Sequence, residues 1–329
     1  MSSPSDCCSP PVEKRIKIIR ECASPDGPPS PTLHIPPSPC LKTLGFGTGV
    51  KILLHERVRQ DGSSLSPWAL KKVNRRHASG LIAKRLEEEA SILKDIKHPH
   101  IIGYRGFKTD SEGCRILALE KGERSLSEVL EERLESEKPG PLEPEFILRV
   151  MKSVISALHY LHTDVKRLHG DIKAANVILV GGKREVKLCD FGVSIKLDAT
   201  GERILPGCVY TGTEAWNPIE VIGEETDITP KADIFAFGCL LYEMLSLRPP
   251  HVDKLVVNED DDVDDSIDDE EYIESLGSRP ELPQDSDVLG DEYEFVLSVF
   301  YACTEEDQEK RPSSKKILQL IEDHEKSLG

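Results

Sequence analysis

The sequence predicts an α+β fold of two unequal lobes: a small, β-rich amino-terminal lobe with one main helix, and a larger, mainly helical carboxy-terminal lobe. Three observations predict it. Between residues 41 and 119, apolar runs of strand length, Pro67–Val73, Ile101-Ile102 and Ile116–Leu119, surround a single segment of helical period. From 125 to 325, helical period dominates. Within that larger part lies Leu168-His169-Gly170-Asp171-Ile172-Lys173-Ala174-Ala175-Asn176, then two short apolar runs, Val177–Val180 and Val186–Cys189, then Asp190-Phe191-Gly192.

An Asp, a Lys two residues on, an Asn five residues on and a following D-F-G resemble the catalytic and metal-binding loops of protein kinases. The residue types suit phosphoryl transfer. Asp171 is placed to accept the proton of an attacking hydroxyl, and Lys173 to steady the transferring phosphoryl group. Asn176 and Asp190 offer hard oxygens to a magnesium ion bridging the phosphates of ATP. H-x-D alone reads as a surface loop; the D-F-G at this distance is what makes it a nucleotide site.

The elements follow in order. Residues 1–40 hold ten of the 23 prolines and read as a disordered Ser/Pro-rich tail. Ser3, Ser9, Ser24, Ser30 and Ser38 each precede Pro and suit an upstream proline-directed kinase. Lys14-Arg15-Ile16-Lys17-Ile18-Ile19-Arg20 fits a docking peptide for a MAP-kinase-type partner, a nuclear signal, or a plain solvated segment. Leu44-Gly45-Phe46-Gly47-Thr48-Gly49 is a glycine loop expected to lie over phosphates, with Ile52 after it; its third glycine comes one residue early. Pro67–Val73 reads as a strand in which Ala69-x-Lys71 fits the V-A-I-K pattern of a nucleotide site and Lys71 holds phosphates, with Lys72 on the other face. Ser79–Lys97 reads as a helix, carrying Glu89 as the partner of Lys71 and Glu87 and Glu88 on its outer face; Pro99 stops it.

Leu119 is expected to guard the back of the pocket, and residues 120–124 to form the hinge, where Glu120 and Lys121 meet adenine through their backbone. Ser125 caps the next helix. Glu143–His162 carries the buried stripe Ile147, Val150, Met151, Val154, Leu158 and Leu161. Residues 190–220 form an activation segment with Ser194, Thr200, Tyr210, Thr211 and Thr213; its last residue, Glu220, is expected to pair with Arg311. Asp233 should cap the backbone of the catalytic loop. An acidic insertion at 258–271 reads as a solvated loop, with docking of basic partners as the alternative. Two helices, Tyr293–Cys303 and Ser313–Asp323, finish the larger lobe.

The bulk properties narrow the class. The formal net charge of −17 speaks against a general nucleic-acid or anionic-membrane binder. The nine cysteines form no C-x-x-C pair, so zinc and disulfides are not expected. No apolar stretch at the start suggests a signal peptide, and Ile234–Tyr242 is too short to span a bilayer.

With these residues in place, the chain resembles a eukaryotic protein kinase over residues 41–325. Lys173 points to the serine/threonine class. The glycine loop, His169-Gly170-Asp171, Gly192-Val193-Ser194 and the Asp-rich insertion before Leu276-Gly277-Ser278-Arg279-Pro280 resemble the PDZ-binding, MAP-kinase-kinase-like branch. That resemblance implies ATP and Mg2+, protein substrates such as MAP kinases and histone tails, dual specificity, a mitotic role, and a cytoplasmic and nuclear location. Two departures matter. The end, Lys326-Ser327-Leu328-Gly329, lacks the apolar final residue of a PDZ ligand, so PDZ binding is not expected. Gly170 stands where most kinases have an Arg that grips a phosphorylated activation segment. The alternatives to an active enzyme are a pseudokinase and a scaffold that docks partners through the tail and the insertion.

Overall fold

A computed structural model describes residues 42–328 except 48, 60, 75–79, 183–184, 224–226, 255–269 and 283–288. The tail with its Ser-Pro sites and basic patch, Thr48, Ser79 and most of the acidic insertion lie outside the described residues.

The smaller lobe is an antiparallel sheet in the order β1-β2-β3-β5-β4. Its strands are β1 (Lys42–Gly47), β2 (Val50–Val58), β3 (Ser64–Val73), β4 (Tyr104–Thr109) and β5 (Arg115–Glu120). One helix, α1 (Leu81–Asp95), packs on it, burying Ala83, Leu86, Glu89, Ala90 and Leu93. Four of those five are apolar and follow the helical period, which is why the segment is a helix and why that stripe faces the sheet. The expected strand at Ile101-Ile102 is corrected. Ile101 makes only an isolated bridge to Leu188, and Ile102 donates its N–H to the same residue's carbonyl. The pair therefore ties the smaller lobe to the larger one, and the strand starts at Tyr104.

The larger lobe begins at β6 (Arg124–Ser125) and α2 (Leu126–Leu134). Ser125 accepts from the Glu128 N–H, and the Glu128 carboxylate accepts from the Ser125 N–H, a reciprocal cap. Next comes α3 (Pro144–Tyr160), with Pro in its first turn, where no N–H is needed. Every member of its predicted stripe is buried, each worth roughly 1.5–3 kcal/mol against exposure. Beyond Tyr160 the chain widens into a π turn, Leu161–Val165, that delivers β7 (Arg167–Leu168).

β8 (Val177–Val180) and β9 (Glu185–Leu188) join β6 in a small sheet, and β10 (Ile195–Lys196) pairs with β7. After α4 (Ile219–Ile222), α5 (Lys231–Ser246) is buried on all sides, a helix at the centre of its lobe rather than on its surface. α6 (Glu270–Ser275), α7 (Glu294–Cys303) and α8 (Ser314–Leu328) complete the lobe. Two boundaries shift. Glu270 and Glu271 belong to α6 rather than to a loop, with Glu271 paired to Lys254 at 2.8 Å. The last helix runs five residues past Asp323. No helix among the described residues is long and apolar enough to cross a membrane.

Candidate active site

β3 sets the upper half of the site. Lys71 lies opposite Ile52 on β2 and Leu117 on β5, and Ala69 lies opposite Leu54 and Leu119. Alternation sends Lys72 to the other face, where it pairs with Asp110 at 2.7 Å. Lys71 Nζ sits 2.9 Å from Glu89 Oε2 on α1 and 2.8 Å from Asp190 Oδ1. Glu87 and Glu88 stay on the outer face of α1, paired with Arg115 and Lys84. Burial opposes the charge on Lys71, but Glu89 and Asp190 outweigh it and hold the ammonium above its ordinary range. Burial pushes the Glu89 carboxyl up to about 7, with Lys71 pulling the other way. Asp190 is lowered: burial would raise it, and the Lys71 ammonium prevails.

Asp190 adopts a left-handed backbone, φ 63°, uncommon for a residue with a side chain. The Gly192 N–H donates to Asp190 Oδ1 at 3.2 Å, and a Cβ on Gly192 would stand 3.2 Å from the same oxygen. Phe191 is buried, edge-on to the His169 ring at 4.8 Å. Burial holds His169 below its ordinary range, so its ring is neutral. Nε2 then donates to the Cys189 carbonyl at 3.0 Å, and Nδ1 accepts from the Asp171 N–H at 3.3 Å.

The lower half rests on α5. Asp233 accepts from the His169 N–H at 2.8 Å, the Gly170 N–H at 2.9 Å and His162 Nε2 at 2.8 Å. The expected cap is therefore present, with His162 as an added partner. Gly170 has φ 82°, and a Cβ there would lie 2.9 Å from the Val193 carbonyl oxygen. The glycine thus does more than omit an arginine: it relieves a conformation that strains any side chain.

Asp171 and Lys173 pair at 2.9 Å. Between them stands Thr213, whose hydroxyl donates to Asp171 Oδ1 at 2.6 Å and accepts from Lys173 Nζ at 2.6 Å. Asn176 Nδ2 donates to the Asp171 backbone carbonyl and carboxylate at 2.8 and 2.7 Å, so only its amide oxygen can face a cation. Glu243, buried on α5, accepts from the Ala174 N–H and from Trp216 Nε1, both at 2.9 Å. Burial pushes its carboxyl up to about 7, against those two donors. Sequence reasoning missed Thr213 as a bridge and missed Glu243 and Trp216 altogether. The available signal was an acid isolated in an apolar helix, which needs buried donors.

At the back and hinge, Leu119 is buried. The Glu120 carboxylate receives the Gly103 N–H at 3.0 Å and Lys187 at 3.1 Å. Its N–H donates to the Gly103 carbonyl. Lys121 follows, half-buried. A Cβ on Gly122 would fall 1.8 Å from Ile178 Cγ2, so any side chain there would force Ile178 to move. Leu44, Gly45, Phe46 and Gly47 lie in β1, and Gly49, φ 75°, turns the chain into β2. The donor set suits a hard divalent cation: the Asp190 carboxylate and the Asn176 amide oxygen, with an ammonium alongside for phosphate.

Comparison with known proteins agrees with this geometry. A family model for the protein kinase domain matches residues 40–321. The chain is 43% identical over 302 residues to the human lymphokine-activated killer T-cell-originated protein kinase, covering 89% of this chain and 92% of that protein. It is 28% identical over 324 residues to mitogen-activated protein kinase kinase kinase 1a of Physcomitrium patens, covering 97% of this chain and 38% of that protein. It is also 28% identical over 287 residues to serine/threonine-protein kinase pkn2 of Myxococcus xanthus, covering 84% of this chain and 31% of that protein.

Proposed function

This chain belongs to the protein kinase family and is a serine/threonine protein kinase, and on that premise we propose how its residues divide the work and which proteins it modifies. Family membership implies ATP, a divalent metal and a protein substrate; magnesium is the ion proposed. The observation that carries the reading is Lys71 held between Glu89 and Asp190 at 2.9 and 2.8 Å. It brings together three side chains from β3, α1 and the D-F-G loop.

Lys71 orients the phosphates and Glu89 orients Lys71. Leu44 to Gly49, Ile52, Ala69, Leu119, Glu120 and Lys121 line the nucleotide. Asp190 and the amide oxygen of Asn176 would hold the magnesium, which would supply positive charge to offset that of the phosphates. Asp171 takes the proton of the incoming hydroxyl on its carboxylate, which Thr213 and Asn176 aim. Lys173 steadies the phosphoryl oxygens from the side of Asp171. Catalysis is then positioning and charge neutralisation rather than covalent chemistry.

The MAP-kinase-kinase-like resemblance supports MAP kinases and histone tails as substrates, with dual specificity, in mitotic signalling in cytoplasm and nucleus. A proline-directed kinase acts upstream on the Ser-Pro sites of the tail. The test is mass spectrometry after incubation with ATP and magnesium, with a MAP kinase or a histone-tail peptide present, for the wild type beside Asp171→Asn and Lys71→Met. Wild-type phosphorylation that falls by about a thousandfold in Asp171→Asn is expected; equal rates would sink the assignment. Transfer to generic basic protein but to neither named substrate would remove the substrate proposal and leave the enzyme.

A further inference from the structure

The activation segment packs on the larger lobe through an apolar cluster separate from the main core. Ile195, Leu197, Ile204 and Tyr210 of the segment close over Leu168 of β7 and Ala232 of α5. Backbone bonds hold the first part of this stretch. Leu197 and Ile204 bridge antiparallel, the Asp198 N–H donates to the Arg203 carbonyl, and the Ile204 N–H donates to the Ile228 carbonyl. Farther on, that support stops. No hydrogen bond joins the backbone of residues 209–212 to another described residue. Val209 is 74% exposed, Thr211 is exposed, and Gly212 has no side chain. Tyr210 is half-buried in the cluster. Among these four residues its ring alone can fix the chain.

We propose that Tyr210 is a positioning residue for phosphoryl transfer: its ring wedges Gly212 against the catalytic loop and so sets where the Thr213 hydroxyl stands. A Cβ on Gly212 would lie 2.7 Å from Tyr210 Cε1, 2.7 Å from the Gly170 carbonyl oxygen and 2.6 Å from Asn217 Oδ1. The ring and the loop carbonyl therefore crowd the same glycine, with no room for a side chain between them. Gly170 adjoins Asp171, and Gly212 adjoins Thr213. The wedge thus lies one residue from each end of the bond that the Thr213 hydroxyl donates to Asp171 Oδ1 at 2.6 Å.

Packing can hold a backbone that no hydrogen bond holds, because a ring in a close-packed cluster cannot shift without opening a void. The ring also stays neutral. Burial, and after it the carboxylates of Asp233, Asp171 and Glu220, keep the phenol well above its ordinary range. Without the ring, Gly212 can draw back from the loop and Thr213 releases Asp171 Oδ1. Asn176 and Lys173 still hold the other oxygen, so the loss is partial.

The inference rests on the role of Asp171 proposed above. Its test is kcat and KM, for ATP and for a generic basic protein, on the full chain and its variants. Tyr210→Ala should lower kcat about tenfold and leave KM for ATP within about twofold, the pattern of lost transition-state positioning. Tyr210→Phe keeps the wedge and should stay near wild type. In a Thr213→Val background, Tyr210→Ala should cost no more than about a further twofold, because both act through one bond. If Tyr210→Ala fails to fold, Tyr210→Leu takes its place in each comparison. A wild-type kcat in Tyr210→Ala overturns the proposal. So does a rise in KM for the protein substrate at unchanged kcat, which would make the ring a substrate contact, and so do losses that multiply in the double variant. Asp171→Asn, run alongside, separates the two readings. If it keeps the wild-type rate, the proposed function fails and this inference with it. An inactive Asp171→Asn beside an unaffected Tyr210→Ala removes this inference alone.

Discussion

Two buried ion pairs in this protein follow opposite designs. In the larger lobe, Arg311 uses all five of its N–H donors. Two go to Glu220 at 2.6 and 2.9 Å, and three to the carbonyls of Glu305, Lys231 and Glu306. Its guanidinium also lies 5.0 Å from the Phe235 ring centre. In the smaller lobe, Glu89 holds Lys71 through one oxygen, while its other oxygen is buried and makes no full hydrogen bond. The helix that carries Glu89 begins without a side-chain cap. A fully satisfied pair is costly to disturb and fixes the fold. A half-satisfied one with a raised carboxyl is sensitive to pH. The protein therefore anchors the end of its activation segment through a fully hydrogen-bonded pair and holds Lys71 through single oxygens of Glu89 and Asp190.

The largest expected effect would break the contrast from the rigid side. Arg311→Ala should cost about 3–5 kcal/mol in urea unfolding, because Glu220 is left buried and unpaired. A loss below about 1 kcal/mol would mean that the two pairs do not differ. On the other side, Lys71→Met should lower phosphoryl transfer by about a hundredfold or more while unfolding much less of the protein than Arg311→Ala does. Initial rates and a urea curve on the same sample decide it.

Acidity sharpens the contrast. The Glu89 carboxyl, raised to about 7 by burial, protonates as pH falls through 7, and Lys71 loses one of its two charged partners, keeping Asp190. Activity should fall on that acid limb. The same shift has the opposite sign for stability: the folded value exceeds the unfolded one of about 4.3, so the cost of ionising the buried group is present in full above 7 and is relieved between 7 and 4.3. Activity and the Glu89 contribution to stability should thus move in opposite directions, and Glu89→Gln should remove the stability component. Glu243, also raised to about 7 by burial, behaves alike. Glu243→Gln should flatten the stability slope over the same interval with a smaller change in rate, since it touches Ala174 and Trp216 rather than the nucleotide lysine. Smallest of all, Glu87→Ala removes a surface partner of Arg115 and should alter stability by no more than about 0.5 kcal/mol.

The residues that could be read from sequence are those whose chemistry demands a fixed spacing. Asp171, Asn176 and Asp190 are tied by a short loop and two strands, and Lys71 by strand alternation. Glu89 follows from the apolar stripe around it. Glu220 with Arg311 and Asp233 with the loop backbone were readable because a buried charge must find a partner. What could not be read depends on how distant elements meet. Thr213 is one of several hydroxyls in the activation segment, and only folding brings it between Asp171 and Lys173. Trp216 and Glu243 find each other across two elements, and the strand at Ile101-Ile102 failed because those apolar residues serve the junction between lobes. The π turn at Leu161–Val165 has no marker in composition.

Thr213 has a consequence for how Asp171 is held. Its hydroxyl joins the Asp171 carboxylate to a point 42 residues further along the chain, so one of the two carboxylate oxygens is held only when the intervening stretch has closed back on itself. A single cut by a protease between Asp198 and Tyr210 would free only the Thr213 side of that carboxylate, while Asn176 and Lys173, on the near side of the cut, would keep the other oxygen in place.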